Sequence, residues 1–397
     1  MEIAEEKEIV IVGGGICGLA TALALHRKGI SSVVLERSDR LRATGAAIII
    51  QPNGWRALDQ LGVAAKLRQT AILIQNMDTM QQGLYFELFD RNGELRCLKR
   101  SHLIETMADD IPVDTIRLGC RMLSIELDPL TSSPVLRLHD GSILKAKVVI
   151  GCDGVNSLIA KFLGMNSTKL FSTCVVRGFR SYQRGHEFEN EFLIMSREHI
   201  QFGRMPINDK LVYWFVTRKW TTQDLMVFKD WVLIRESTLE SMRGFPTEIV
   251  EMIKNSEPDS FILTPLKYRA PWDLLRRSSQ KGTVMVAGDA WHATGPFLAQ
   301  GGSASLEDAI VLARCLAQNL CTVFPSGRVE RKMVETAVKG YARERKMRVV
   351  QLCTQSYLIG IMLDDATSTL VKFISIVLTS LLFGDPTAHT YYDCGRL

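Results

Sequence analysis

The sequence predicts an α/β protein, α+β when taken whole, in which a parallel sheet carrying a glycine turn stands beside a separate antiparallel sheet. Three observations carry that expectation. An apolar run, a glycine turn, a helical pattern and a second apolar run follow one another over residues 9–36; polar and apolar residues alternate over 122–144 and 173–219; and an apolar strand at 283–287 leads into a second glycine-rich stretch.

The elements follow in order. Residues 9–12, Ile-Val-Ile-Val, are apolar without alternation, as a strand covered on both faces of a parallel sheet requires. A helical pattern over 19–25 stops near Lys28-Gly29, and residues 32–36 form the next strand, the length of one βαβ crossover. Further on, 122–128 and 135–144 alternate and are interrupted by Asp140-Gly141, which signals an antiparallel hairpin. Strands over 191–195, 199–202 and 211–217 precede helices over 228–243 and 247–254, a second sheet with its own helices. The strand at 283–287 then runs into Gly288, so the nucleotide-binding unit is discontinuous in sequence.

Composition narrows the function classes. The chain has 397 residues, 46% hydrophobic and 23% charged, which excludes disorder and low-complexity architectures and leaves room for two to three domains. A net charge of +5 is too small and dispersed to indicate a nucleic-acid partner. Nine cysteines, odd in number and never in a C-x-x-C pair, argue against a disulfide framework or a zinc site. They are expected to be reduced thiols in a cytoplasmic protein, in keeping with an acidic N-terminus that has no signal or transit character. The longest apolar stretch, residues 370–383, is interrupted by Lys372, Ser375, Thr379 and Ser380 and is shorter than the roughly 20 residues a spanning helix needs.

The turn after the first strand satisfies G-x-G-x-x-G at Gly13, Gly15 and Gly18, and Glu36 ends the following strand. Gly13 permits the tight turn, Gly15 lets the backbone approach a pyrophosphate, Gly18 allows close packing of helix on strand, and Glu36 is placed to accept hydrogen bonds from a ribose. The turn alone does not separate FAD from NAD. Two further segments bear on that choice: Asp153-Gly154-Val155-Asn156-Ser157 at a strand end, and Gly288-Asp289 followed by Pro296 and Gln300-Gly301-Gly302-Ser303.

With these three ordered motifs the chain resembles the group A FAD-dependent monooxygenases, the aromatic-ring hydroxylases similar to p-hydroxybenzoate and salicylate hydroxylases, and within them the plant salicylate-hydroxylase-like type. The resemblance covers roughly residues 7–350. It implies a Rossmann-like FAD-binding domain of the p-hydroxybenzoate-hydroxylase type at 1–72, 97–170 and 270–355, an inserted antiparallel-sheet substrate domain at 73–96 and 171–269, and C-terminal helices at 356–397. By the same resemblance Asp289 bonds the FAD ribityl chain, the turn after Pro296 offers backbone N–H groups of Gln300, Gly301, Gly302 and Ser303 to the flavin, and Asp153 serves both FAD and NAD(P)H. Arg100 and Arg42 are implied cofactor contacts, with Arg37 beside Glu36 in the same set. The implied reaction takes hydride from NADPH or NADH, forms a C4a-hydroperoxyflavin with O₂ and hydroxylates a small aromatic or heteroaromatic substrate.

Two positions depart from the family pattern. Where Asp-Gly-x-x-Ser-x-Val-Arg is usual, Ala160 replaces the arginine and only Lys161 is near; where Pro-x-x-Gly-Gln-Gly is usual, Ala299 replaces the glycine and is strained if the turn needs positive φ. They keep alternatives open: a flavin-binding regulator or sensor with little hydroxylase activity, or a flavin reductase or oxidase.

The substrate-pocket candidates are Arg204, Tyr213 and Phe215, with Arg177 and Arg180 on the same strands; at most one of the arginines is expected to face the pocket. His292 is expected to make a local hydrogen bond rather than act as a base. Residues 328–348 read as a solvated helix face. Residues 370–383 read as a packing or self-association surface in preference to the alternative, a peripheral membrane contact.

Overall fold

The computed structural model describes residues 5–41, 47–81, 84–87, 93–227, 230–320, 331–364, 367–385 and 387–397. Arg42 lies outside them, as do the first residues of the segments expected at 228–243 and 328–348.

One sheet is built around the glycine turn. Its strands run in the order Gln280–Lys281, Val284–Val286, Ile143–Gly151, Glu5–Val12, Val33–Leu35 and Ile116–Arg117. All neighbours from Val284–Val286 onward pair parallel, and the hairpin strands Met122–Leu127 and Pro134–Leu138 extend antiparallel from Ile143–Gly151. The apolar strand centres Ile9–Ile11, Val148–Ile150 and Val284–Val286 are almost fully buried, because helices cover both faces. Helix Ile16–Arg27 begins right at the turn and is buried through Leu25, wedged against helix Gly301–Leu320.

The second sheet runs Ile262–Tyr268, Lys169–Ser181, Leu211–Lys219, Ile200–Asn208, Glu191–Arg197, Asn76–Gln81 and Leu84–Glu87. Its strands are longer than the alternation suggested, and Glu191–Arg197 pairs parallel with Asn76–Gln81. On one face Phe202, Trp214 and Val216 pack with helices Trp231–Ser241 and Thr247–Lys254. The first of these helices starts at Trp231 because Asp230 caps it, accepting from the N–H groups of Val232 and Leu233. The opposite face packs Phe179, Phe192, Met205 and Tyr213 with Ile49 and Cys97 of a small third sheet formed by Ala47–Ile50, Arg96–Lys99 and Ile72–Leu73.

The long helix Arg331–Leu363 corrects two expectations. It runs unbroken through position 355, so the boundary drawn there falls inside an element. It is also not a solvated face alone: Arg343, Glu344 and Met347 are exposed, but Val334, Tyr341, Arg345 and Arg348 are buried. Helix Thr369–Leu382 packs on it, and the chain then returns as a tail rather than a helix. Arg56 and Arg314 donate to the carbonyls of Tyr391 and Cys394, each at 2.7 Å, and Cys394 joins the first core. Among the described residues no helix is long and apolar enough to cross a membrane.

Candidate active site

A cavity of about 1450 Å³ extends from the glycine turn to the near face of the second sheet. At its first end Gly13 sits at φ +109°, and a Cβ there would fall 2.4 Å from the Cys152 carbonyl oxygen. A Cβ on Gly18 would fall 1.9 Å from the Gly13 carbonyl oxygen. Gly15 differs from both: a Cβ there meets nothing within 4 Å, because the position opens on the cavity at the uncapped start of helix Ile16–Arg27. Backbone N–H groups and the positive end of the helix dipole make that opening a place for a pyrophosphate.

Glu36 closes the turn. Its carboxylate accepts from the N–H groups of Gly14 at 2.8 Å and Ser38 at 2.9 Å while still bordering the cavity. Each oxygen keeps a lone pair for a ribose hydroxyl. Arg37 and Arg100 also line the cavity. Asp153 reaches it from the end of the neighbouring strand, with Oδ2 accepting from Leu158 N–H at 2.7 Å. Burial pushes its pKa up, and its buried Oδ1 has no hydrogen-bond partner among the described residues. The side chain of Ala160 is turned into the core, 3% exposed, while its N–H donates to the capping Ser157 hydroxyl at 2.8 Å.

Further along, Asp289, Pro296, Gly301 and Gly302 line the cavity. A Cβ on Gly301 would lie 3.8 Å from Asp289 Oδ1, so this carboxylate sits beside the start of helix Gly301–Leu320. Gln300 and Ser303 do not reach the cavity. The Gln300 amide is buried, accepting from Asn53 at 2.8 Å and donating to Gln51. Ser303 faces the neighbouring helix, where a Cβ on Gly54 would lie 2.6 Å from its Oγ. The Gln300 side chain therefore holds the turn in place. Ala299 lines the cavity at φ +50°, so the turn does need positive φ and the alanine bears it.

Behind this end lies a cluster that sequence reasoning missed. Asp308 accepts from Gly288 N–H at 2.8 Å, from His292 Nε2 at 2.6 Å and from Arg345 Nε at 2.7 Å. Glu307 pairs with Arg345 at 2.7 Å and Arg348 at 2.9 Å, and accepts from Asn53 at 2.6 Å. Burial would raise the Asp308 pKa, but the charges of His292 and Arg345 outweigh it and hold the group at about 2. The available signal was the Glu-Asp pair within an apolar helix, which demands buried cations. His292 is a local partner and does not line the cavity.

At the far end, strand register decides which side chains look inward. Arg177 pairs with Phe215, and Phe179 and Met205 both pair with Tyr213, so these residues share one face. Arg177, Met205, Tyr213 and Phe215 line the cavity. Burial pushes the Tyr213 hydroxyl up to about 12, against the opposing pull of the neighbouring Arg177 guanidinium. Arg204 is corrected as a pocket residue. It pairs with Trp214 on the opposite face, 3.9 Å over the Phe188 ring and 2.7 Å from Glu191. Arg180 is spent on the Asn255 carbonyl, leaving Arg177 as the inward arginine of the three.

Comparison with known proteins agrees with this architecture. Residues 6–356 match the family model described as FAD binding domain. The chain is 44% identical to Monooxygenase 1 of Arabidopsis thaliana, over 99% of this chain and 100% of that protein, and 34% identical to Monooxygenase 2 of the same plant, over 100% of both. Klebsiella pneumoniae HpxO complexed with FAD and uric acid has the same fold, with a TM-score of 0.78 at 21% identity over 96% of each chain. So does the tetrameric form of 2-methyl-3-hydroxypyridine-5-carboxylic acid oxygenase, with a TM-score of 0.73 at 21% identity over 98% of this chain and 97% of that one. The chain belongs to the FAD-binding monooxygenase family, of the aromatic-ring hydroxylase type.

Proposed function

We propose that this protein hydroxylates a small aromatic or heteroaromatic compound, with NADPH or NADH as reductant and O₂ as the oxygen source. The observation that carries the reading is that one cavity joins the dinucleotide turn, the Gly301 helix start and an apolar wall of Tyr213, Phe215 and Met205. The residues fit FAD. Gly15 leaves open the space a pyrophosphate needs, Glu36 offers carboxylate lone pairs for the ribose, and Asp153 borders the same space. FAD held by these residues would supply the redox chemistry, with the nicotinamide coenzyme as reductant and O₂ as the source of one oxygen atom in the product and one in water.

The protein groups bind, orient and exclude water. The N–H groups at the start of helix Gly301–Leu320 favour negative charge on the cofactor's ring system. The sheet wall shields the reacting end from water, which limits loss of oxidising equivalents as H₂O₂. Arg177 sets the polar end of a planar substrate, and Tyr213, its proton retained because its pKa is raised to about 12, donates or accepts beside it.

The test is the visible spectrum of the FAD-loaded protein during anaerobic titration with NADPH or NADH, with and without a panel of phenolic acids and nitrogen heterocycles. Bleaching accelerated by one compound, followed by a hydroxylated product on admitting O₂, supports the reading. Flavin that binds but is reduced by neither coenzyme sinks it and favours a flavin-binding sensor, the second reading that the core-facing Ala160 motivates. Peroxide in place of hydroxylated product indicates an oxidase.

A further inference from the structure

Helix Thr369–Leu382 has its polarity inverted. The residues it turns toward the body of the protein are Lys372, Ser375 and Thr379, with Ser375 buried at 3% exposure. Its large apolar side chains point outward: Leu370 is 68% exposed, Phe373 63%, Leu381 76% and Leu382 59%, with Ile374 and Ile376 near half. At 3.6 residues per turn, the exposed apolar positions sweep an arc of about 240° around the helix axis. Lys372 is the helix's one ionisable residue, and it lies on the inward side.

We propose that this helix is a monotopic lipid-docking element, sunk into the headgroup and acyl boundary of a membrane. Small and polar residues against protein with apolar residues outward is the arrangement of a helix whose surroundings are hydrocarbon. The width of the arc selects among occupants. A symmetric helix-to-helix contact with a second copy covers only about 100° of each helix, the breadth of an ordinary core-facing stripe. The area such a contact buries falls well below the roughly 800 Å² per partner of a stable dimer, and it leaves most of these side chains in water. A fluid apolar medium covers the whole arc. With 14 residues the helix is about 21 Å long, too short to span the roughly 30 Å of hydrocarbon but suited to lying in the interface. Within a few residues of its end the chain enters the cavity wall at Thr387, His389, Thr390 and Tyr391, so docking sets that wall beside the bilayer, where apolar small molecules concentrate.

The experiment is flotation of the full-length, FAD-loaded protein with vesicles of phosphatidylcholine alone and of phosphatidylcholine with phosphatidylserine, at low salt and at about 0.5 M salt. Expected is flotation with both vesicle types that survives high salt, because apolar burial is not screened, and a drop of about tenfold or more for Phe373→Glu combined with Leu381→Glu. These side chains are exposed, so the variant keeps its fold, checked by unchanged flavin absorbance and thermal midpoint. Three outcomes overturn the proposal: no flotation; flotation only with the anionic vesicles and lost in high salt; or a wild-type dimer by light scattering that the double variant dissociates and that does not float. The readout needs no turnover, so it stands or falls separately from the proposed hydroxylation.

Discussion

On the proposed function, the two ends of the cavity recognise cofactor and substrate by different means. At the nucleotide end the work falls to the backbone: a turn at φ +109°, a glycine whose missing side chain leaves room, N–H groups anchored to Glu36, and Gly288 held through its N–H to Asp308. At the substrate end side chains on a sheet face decide, and one register step separates the inward Arg177 from residues that face the helices. Backbone recognition constrains residue type at fixed spacing, which makes it rigid in evolution and stiff in energy. Side-chain recognition on a sheet constrains only parity, so it can be retuned by single substitutions.

The largest expected effect comes from breaking the support of the nucleotide end. Arg345→Met leaves the carboxylates of Glu307 and Asp308 buried without a main partner, and removing one member of a buried ion cluster costs about 3–5 kcal/mol. Chemical denaturation of the apo-protein should show that loss, with FAD binding lost as well. A change within 1 kcal/mol, on the scale of roughly 0–1 kcal/mol that exposed pairs contribute, would mean that the cluster is not what holds Gly288.

The same cluster gives a pH dependence. Asp308 has its pKa lowered from 3.8 to about 2 in the folded protein, so its contribution to stability is complete above about 4 and is lost as pH falls toward 2. The expected loss is about 2 kcal/mol, seen as a falling urea midpoint across that window. Asp308→Asn should lower stability at neutral pH and flatten the slope; an equally steep slope in the variant would assign the acid sensitivity to other carboxylates.

Gly15→Ala sharpens the comparison from the cofactor side. No protein atom opposes the new methyl, so apo-protein stability should stay within about 1 kcal/mol, the cost of a helix-terminus glycine change. FAD affinity should fall about tenfold or more, since the methyl fills the space for the pyrophosphate. Equal loss of affinity and stability would show that the glycine is structural, as Gly18 is with its Cβ position 1.9 Å from a carbonyl oxygen.

At the substrate end Arg177→Met should raise KM for anionic aromatic compounds by about tenfold, one charge-assisted hydrogen bond's worth, while FAD affinity is unchanged. Arg204→Met should do the reverse of a pocket variant: it removes the Glu191 pair and the contact with Phe188, lowering stability without changing substrate preference. Selectivity that follows Arg204 instead would place it, and not Arg177, at the substrate.

What the sequence disclosed divides along the same line. Gly13, Gly15, Gly18, Glu36 and Asp289 were legible because a phosphate turn and its helix start impose residue types at fixed offsets, and the structure puts all but Gly18 on the cavity wall. Gln300 and Ser303 lie in an equally recognisable motif and were expected to serve through their backbone N–H groups; what no local pattern reveals is that their side chains turn to Gln51, Asn53 and Gly54, some 250 positions away. Arg345 and Arg348 were hidden for the same reason, since a helix with charged residues at every turn reads as solvated until Glu307 and Asp308 are known to face it. Arg204 fell to parity: alternation marks two faces of a strand but not which one meets the cavity.

The smallest effect belongs to Ala299, at the turn where the two ends meet. An L-residue at φ +50° costs roughly 1–2 kcal/mol in the left-handed region, a cost glycine does not bear. Against that, glycine loses about 0.5–1 kcal/mol through the greater freedom of the unfolded chain. Replacing Ala299 also removes a methyl that packs against the apolar cluster under the second sheet. Ala299→Gly is therefore expected to stabilise the protein by no more than about 1 kcal/mol, read from the shift in the denaturation midpoint. A destabilisation of that size would mean that the methyl's packing outweighs the strain, tying this turn to the substrate sheet by side-chain contact as well as to the nucleotide end by its backbone.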